Sequence, residues 1–211
     1  MPVEFLKISR DQPDPAVLEY AASLLRRGEV VGIPTDTLYG LAADPFNLAA
    51  VERVFRIKGR AETKALPILI DGFERVPLLA RETPDAFHRL AKAFWPGALT
   101  LLVDAADRIP FKVTGNTGRI ALRWPKCAAV TELIARVGAP VTGTSANLSG
   151  FPGCSSAAQV AKQLGERLPL ILDGGESGRA LPSTIVDVRN DVWQIVREGA
   201  IPEAEILRAL A

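Results

Sequence analysis

The 211 residues contain one histidine and two cysteines, few of the side chains that most often carry nucleophilic or metal chemistry. His88 falls off the apolar stripe formed by Phe87, Leu90, Ala91 and Phe94, so it is expected at the solvent face of a helix. A histidine-based triad or metal site is therefore disfavoured. Cys127 and Cys154 have no second pair, which excludes a disulfide framework and a cysteine zinc site and predicts a reduced, cytoplasmic setting. No metal ligands are assigned. No apolar run approaches the roughly 20 residues that span a bilayer, and Met1-Pro2-Val3-Glu4-Phe5 lacks the basic end and apolar core of a signal segment. Neither secretion nor membrane insertion is expected. An excess of one charge is missing too: 25 basic against 24 acidic side chains leave a net +1. Broad attraction to nucleic acid or an anionic membrane is excluded, and any anion site must be local. Neither a Gly-x-x-x-x-Gly-Lys-Ser/Thr phosphate loop nor a Gly-x-Gly-x-x-Gly fingerprint occurs.

What is present is a chain long enough for a substantial core, with 48% hydrophobic residues, read as one domain over 1–211. Helical periodicity marks 16–27, ending at Gly28, and a helix capped by Asn47 that frays near Lys58-Gly59-Arg60. Thr83-Pro84 predicts a cap and first turn for a helix that stops before Trp95-Pro96-Gly97. Further helices are expected over 128–137, from Ser155-Ser156 to Gly165, and after Pro202. Strands are expected at 30–33, 66–70, 98–103, 119–123, 140–144, 170–173, 183–188 and 192–196. Helices interleaved with strands, then adjacent strands, indicate an α/β domain with a mixed sheet.

The densest cluster of chemistry-bearing residues is Pro34-Thr35-Asp36-Thr37-Leu38-Tyr39-Gly40-Leu41. Alternation along an extended chain would turn Thr35 and Thr37 to one face and Asp36 to the other. Lys58, Arg60 and Lys64 lie next to an element end, where they either offset the helix dipole or converge on an anion. Thr142-Gly143-Thr144-Ser145-Ala146-Asn147-Leu148-Ser149-Gly150 is a loop of short donors and acceptors. It suits phosphate or purine, and equally suits a plain turn followed by a Ser155 or Ser156 cap. Arg119 and Arg123 share one strand face, as do Ser183, Ile185 and Asp187, which read either as site residues or as a solvated rim. Gly174 to Arg179 is glycine-rich, either a connection or a lid.

Taken together, Pro34-Thr35-Asp36-Thr37-x-Tyr39-Gly40-Leu41, Lys58-Gly59-Arg60, Trp95-Pro96-Gly97, Arg123-x-Pro125, Ser145-Ala146-Asn147, Ser183-Thr184-Ile185-Val186-Asp187 and Arg197-Glu198-Gly199 resemble the YrdC family of threonylcarbamoyl-AMP synthases. The resemblance implies a twisted α/β sandwich around a concave basic cavity. It implies a nucleotidyltransferase that makes threonylcarbamoyl-AMP and pyrophosphate from L-threonine, bicarbonate and ATP with Mg²⁺. The product would pass to a tRNA threonylcarbamoyl transferase machinery, with only weak RNA binding by this chain. By the same resemblance Lys58 and Arg60 would be catalytic. They would hold ATP together with Lys64, Arg119, Ser145, Asn147, Ser155 and Arg197, while Thr35, Thr37, Arg123 and Ser183 would contact threonine. The sequence departs from the family pattern at Lys64-Ala65-Leu66 and at Leu69. The linker and extra domain of longer relatives are expected to be absent. The alternatives are a structured-RNA-binding module without catalysis, or carbamoyl transfer to another acceptor.

Overall fold

The computed structural model describes residues 3–178, 181–189 and 193–211. Their strands are β1 (Glu4–Lys7), β2 (Val31–Ile33), β3 (Gly40–Ala42), β4 (Ile68–Leu69), β5 (Leu99–Asp104), β6 (Arg119–Arg123), β7 (Val141–Thr142), β8 (Thr144–Ser145), β9 (Leu170–Asp173), β10 (Thr184–Asp187) and β11 (Gln194–Arg197). The helices are α1 (Pro15–Arg26), α2 (Leu48–Lys58), α3 (Val76–Leu79), α4 (Asp85–Phe94), α5 (Phe111–Thr114), α6 (Ala128–Val137), α7 (Ala157–Leu164) and α8 (Glu203–Leu210). None is long and apolar enough to cross a membrane.

Side-chain caps set several helix starts. The Asp14 carboxylate accepts the Ala16 N–H at α1, Asn47 accepts Ala49 and Ala50 at α2, and Ser156 accepts Gln159 at α7. The expected Thr83 cap does not form: α4 starts without a side-chain cap, and the Thr83 hydroxyl meets exposed His88 Nε2 at 2.9 Å instead. The helix starts one residue later than expected, with Pro84 at the cap position, where no side-chain acceptor is available. Val192, part of an expected strand, and Arg179, at the end of the glycine-rich stretch, lie outside the described residues.

Two mixed sheets form rather than one. The first has the order β1-β9-β2-β3-β8 and the second β11-β10-β5-β6-β4-β7. The first is buried on both faces: Leu170 and Leu172 enter a core with Leu18, Leu25 and Ile134 under α1 and α6, while Ile171 enters the larger core with Val54 and Leu122. This explains the uninterrupted apolar run of β9. The second sheet is two-sided. Leu101, Val103, Ile120, Leu122 and Val186 face the larger core, so alternation sends Thr100, Arg123, Ser183 and Ile185 to the opposite face. That face supplies the site.

The expected strand over 140–144 is split, because the chain changes sheets at Gly143: β7 pairs with β4 and β8 with β3. Gly143 donates to Pro67 O at 2.7 Å, and a Cβ there would stand 2.4 Å from Leu69 Cγ. Only glycine fits without displacing a buried leucine. Gly143→Ala should therefore cost about 1–3 kcal/mol, the usual penalty of overpacking. Urea unfolding of Gly143→Ala, Leu69→Ala and the pair should show coupling, with the double variant more stable than the sum of the singles. Strict additivity would refute the clash.

Candidate active site

Residues 34–39 connect β2 to β3 as a turn, not as the extended strand that simple alternation requires. Thr35 and Thr37 are still neighbours, with hydroxyls 3.1 Å apart, but the cause is local hydrogen bonding. Thr35 Oγ1 donates to Leu38 O at 2.6 Å and accepts the Thr37 N–H at 3.1 Å. With the Thr37 hydroxyl as a third partner, its one proton and two lone pairs are all engaged. The Thr35 hydroxyl is thus fully engaged inside the turn. Asp36 is not turned away either.

Asp36 Oδ1 accepts from Arg123 Nη2 at 2.6 Å, while Arg123 Nη1 donates to Thr37 Oγ1 at 2.8 Å and Nε to Gly97 O at 3.0 Å. Trp95-Pro96-Gly97 therefore serves the site through one carbonyl. Gly97 is obligatory, because a Cβ would lie 2.4 Å from Phe94 O. Burial pushes the Arg123 guanidinium below its ordinary pKa, and Asp36 opposes that shift. Asp36 was missed as a site residue; its place inside the Thr-x-Thr motif was the available signal.

On the same face of the second sheet, buried Ser183 meets Thr100 Oγ1 at 2.8 Å. Arg197 Nη2 donates to Ser183 O at 2.6 Å and Oγ at 3.2 Å. Arg197 is thus grouped with Ser183, and its charge acts on Arg123.

The cations at the end of α2 converge on the loop after β8. Lys58 Nζ, 2% exposed as a residue, donates to Ser145 O and to Asn147 O, the latter at 2.8 Å. Ser149 N–H returns to Lys58 O at 2.8 Å. Arg60 reaches Thr144 Oγ1 at 3.3 Å and Ala65 O at 2.7 Å. Asn147 spends its amide nitrogen on Leu148 O and Phe151 O. Among the described residues, two buried polar atoms are left unpartnered, Arg60 Nε and Asn147 Oδ1. Native interiors rarely leave such groups orphaned without a ligand or water to meet them.

Lys64 is exposed just beyond α2, and Arg119 opens β6, 4.0 Å from Asp187. Four residue steps along β6 separate Arg119 from Arg123, about 13 Å, and Lys64 adjoins the Ala65 carbonyl that Arg60 holds. Ser155 lines a cavity of about 620 Å³ with Leu38, Leu148, Phe151, Gln159 and Lys162. Ser155 O accepts the Ser177 N–H at 2.7 Å. The glycine-rich stretch is pinned: Arg10 donates to Gly174 O, Gly175 O and Thr35 O, and Tyr39 OH donates to Gly175 O at 2.7 Å. Arg10 also went unnoticed in the sequence, since it sits outside every motif. Among the described residues, no three His, Cys, Asp or Glu side chains gather as a metal site.

A family model described as Telomere recombination, Sua5/YciO/YrdC, matches residues 23–199. The chain belongs to the Sua5/YciO/YrdC family. Two curated relatives named threonylcarbamoyl-AMP synthase show the range. That of Pyrococcus abyssi is 36% identical over 92% of this chain and 57% of its own length. That of Vibrio campbellii is 35% identical over 86% of this chain and 98% of its own. The chain thus spans little more than half of the P. abyssi relative. The crystal structure of P. abyssi Sua5 complexed with L-threonine superposes with a TM-score of 0.95 at 34% identity, covering 99% of this chain and 61% of that one. The expected fold is established by this likeness.

Among the described residues of this Sua5/YciO/YrdC chain, no carboxylate contributes to the pKa of Lys58 or Arg60. Burial first, and Arg60 second, bring Lys58 from the ordinary lysine value of 10.5 down to about 8. Burial also lowers Arg60 and Arg197. For Lys58 the cost of holding the charge is roughly 3 kcal/mol at pH below 8. Between about pH 8 and 10.5 the unfolded chain keeps a proton that the folded chain has released, so stability rises with pH across that window. Ligand-free denaturant midpoints should rise over that range in the native chain relative to Lys58→Met. Parallel pH profiles would show that Lys58 is not strained by burial.

Proposed function

We propose that this chain is an L-threonylcarbamoyladenylate synthase acting in the cytoplasm and supplying a tRNA threonylcarbamoyl transferase machinery. The reading rests on one observation above others: Lys58 and Arg60 are buried beside the Ser145-Ala146-Asn147 loop with no carboxylate among the neighbours that shift their pKa. Two uncompensated cations, an orphan donor and an orphan acceptor are suited to a polyphosphate ester. The adjoining apolar cavity, with Ser155 at its wall, has room for a nucleoside. The family relatives named threonylcarbamoyl-AMP synthase support the same reading.

The chemistry asks little of a protein base. The amine of threonine combines with bicarbonate, losing water, to give a carbamate that carries its own anionic oxygen. That oxygen attacks the α-phosphorus of ATP, the bond to the β-phosphate oxygen breaks, and pyrophosphate leaves. The task left to the enzyme is charge handling, performed by Lys58 and Arg60 where negative charge builds up. Lys64 and Arg119 would extend that field outward toward the leaving group. Lys58 contributes in a second way, since its ammonium fixes the carbonyls of Ser145 and Asn147 and so the loop that meets the nucleotide. Among the described residues no three His, Cys, Asp or Glu side chains gather to hold a resident cation, and Mg²⁺ would arrive with ATP as its counter-ion.

Threonine is assigned to the opposite side, where Arg123 offers donors to a carboxylate and Ser183 a hydroxyl contact. Arg197, grouped with Ser183, would bridge the two halves. Selection of threonine over valine follows from hydroxyl recognition, whereas serine differs by one methyl worth only about 1–3 kcal/mol.

Pyrophosphate release should require ATP, bicarbonate and threonine together. Arg60→Ala should lose roughly tenfold to a hundredfold in rate, the value of a charge-assisted contact of about 1.5–3 kcal/mol made in the transition state. Full activity of Arg60→Ala would remove the phosphate role, and equal turnover without bicarbonate would remove the reaction.

A further inference from the structure

Hydrogen-bond counting around Arg123 fixes which way the protons point. Thr35 has one hydroxyl proton, and the 2.6 Å contact to Leu38 O takes it. The 3.1 Å contact between the threonine hydroxyls must then be donated by Thr37. Thr37 Oγ1 in turn accepts from Arg123 Nη1 at 2.8 Å. Its proton and one lone pair are spent, and what remains is a single acceptor position. Asp36 repeats the pattern: Oδ1 is held by Arg123 Nη2 at 2.6 Å, and Oδ2 has no partner among the described residues. The Asp36 side chain is 17% exposed and the Arg123 side chain 8%. Arg123 keeps two of its five N–H groups, one on each terminal nitrogen.

A donor pair therefore stands beside an acceptor pair. We propose that Asp36 Oδ2 and Thr37 Oγ1 form the acceptor half of the amino-acid site, receiving the α-amino N–H groups while the two free donors of Arg123 receive the carboxylate. This assignment rests on the threonine reading given above and adds to it a residue, Asp36, and a polarity for Thr37. It makes the site selective for a carboxylate with an adjacent N–H donor. The contact survives the reaction, because a carbamate nitrogen still carries one N–H. Asp36 also acts as a positioning residue, since it orients Arg123 and compensates its buried charge.

The test compares binding of L-threonine with that of (R)-3-hydroxybutyrate, which keeps the carboxylate and hydroxyl but has hydrogen in place of the amino group. Titration calorimetry is run on the native chain and on Asp36→Asn, Asp36→Ala and Thr37→Val, with ATP binding measured on each. The native chain should prefer threonine by about tenfold to a hundredfold, the value of charge-assisted hydrogen bonds. Asp36→Ala should abolish most of that preference, Asp36→Asn and Thr37→Val should reduce it, and ATP affinity should stay within about twofold. Because the readout is a ratio of two ligands, a general loss of affinity does not imitate the result. Should Asp36→Ala not fold, Asp36→Asn and Thr37→Val decide the matter. Undiminished preference for threonine in the folded Asp36 variants overturns the assignment alone. Failure of the native chain to bind threonine overturns the threonine reading and the assignment with it.

Discussion

The Lys58 ammonium is buried against two backbone carbonyls and feels Arg60 rather than a carboxylate, so among the described residues no acidic side chain neutralises its charge. Most of the local architecture follows from that constraint. The carbonyls of Ser145 and Asn147 must point at α2, which sets the path of the loop after β8. Asn147 then turns its amide nitrogen back on Leu148 and Phe151 and leaves Oδ1 unpartnered. A buried charge stabilised by dipoles alone is costly, and chains tolerate such costs where a ligand recovers them. The unfilled requirement is for an anion.

A different solution operates at Arg123. Here burial is compensated inside the protein, by Asp36, and the guanidinium is held from three directions by the 34–39 turn and by Gly97. The two halves thus differ in electrostatic design: one is a charge deficit suited to polyphosphate, the other a neutralised pair suited to a zwitterion. The two-sided second sheet makes the combination possible: Leu101, Leu122 and Val186 join the larger core, while on the face of Arg123 only the β4–β7 end, through Leu69 and Val141, is buried in the smaller core. The first sheet, buried on both faces, brings β3 and β8 together, and with them the turn and the loop.

The elements that could be read from the sequence were those whose cause is local. Asn47 and Ser156 cap as their side chains dictate, and Gly28 ends a helix because its φ of +79° suits no other residue as well. Lys58, Arg60, Ser145 and Asn147 were legible as a group from their motifs, and the fold brings them together. What was not legible depends on long-range pairing. Nothing near Gly143 announces that the chain changes sheets there, since the clash that enforces it comes from Leu69. Asp36 was misplaced because alternation was applied to a segment whose hydroxyls had closed a turn. Arg10 could not be found, since its partners lie at Thr35 and around Gly174.

The central claim, that the uncompensated cations serve adenylation of a carbamate formed on threonine, is tested most directly by mass spectrometry of the product. The chain is incubated with ATP, L-threonine and ¹³C-bicarbonate. Threonylcarbamoyl-AMP carrying one heavy carbon is expected, formed in step with pyrophosphate. A product without the heavy carbon, or ATP left intact with all three substrates present, would contradict it.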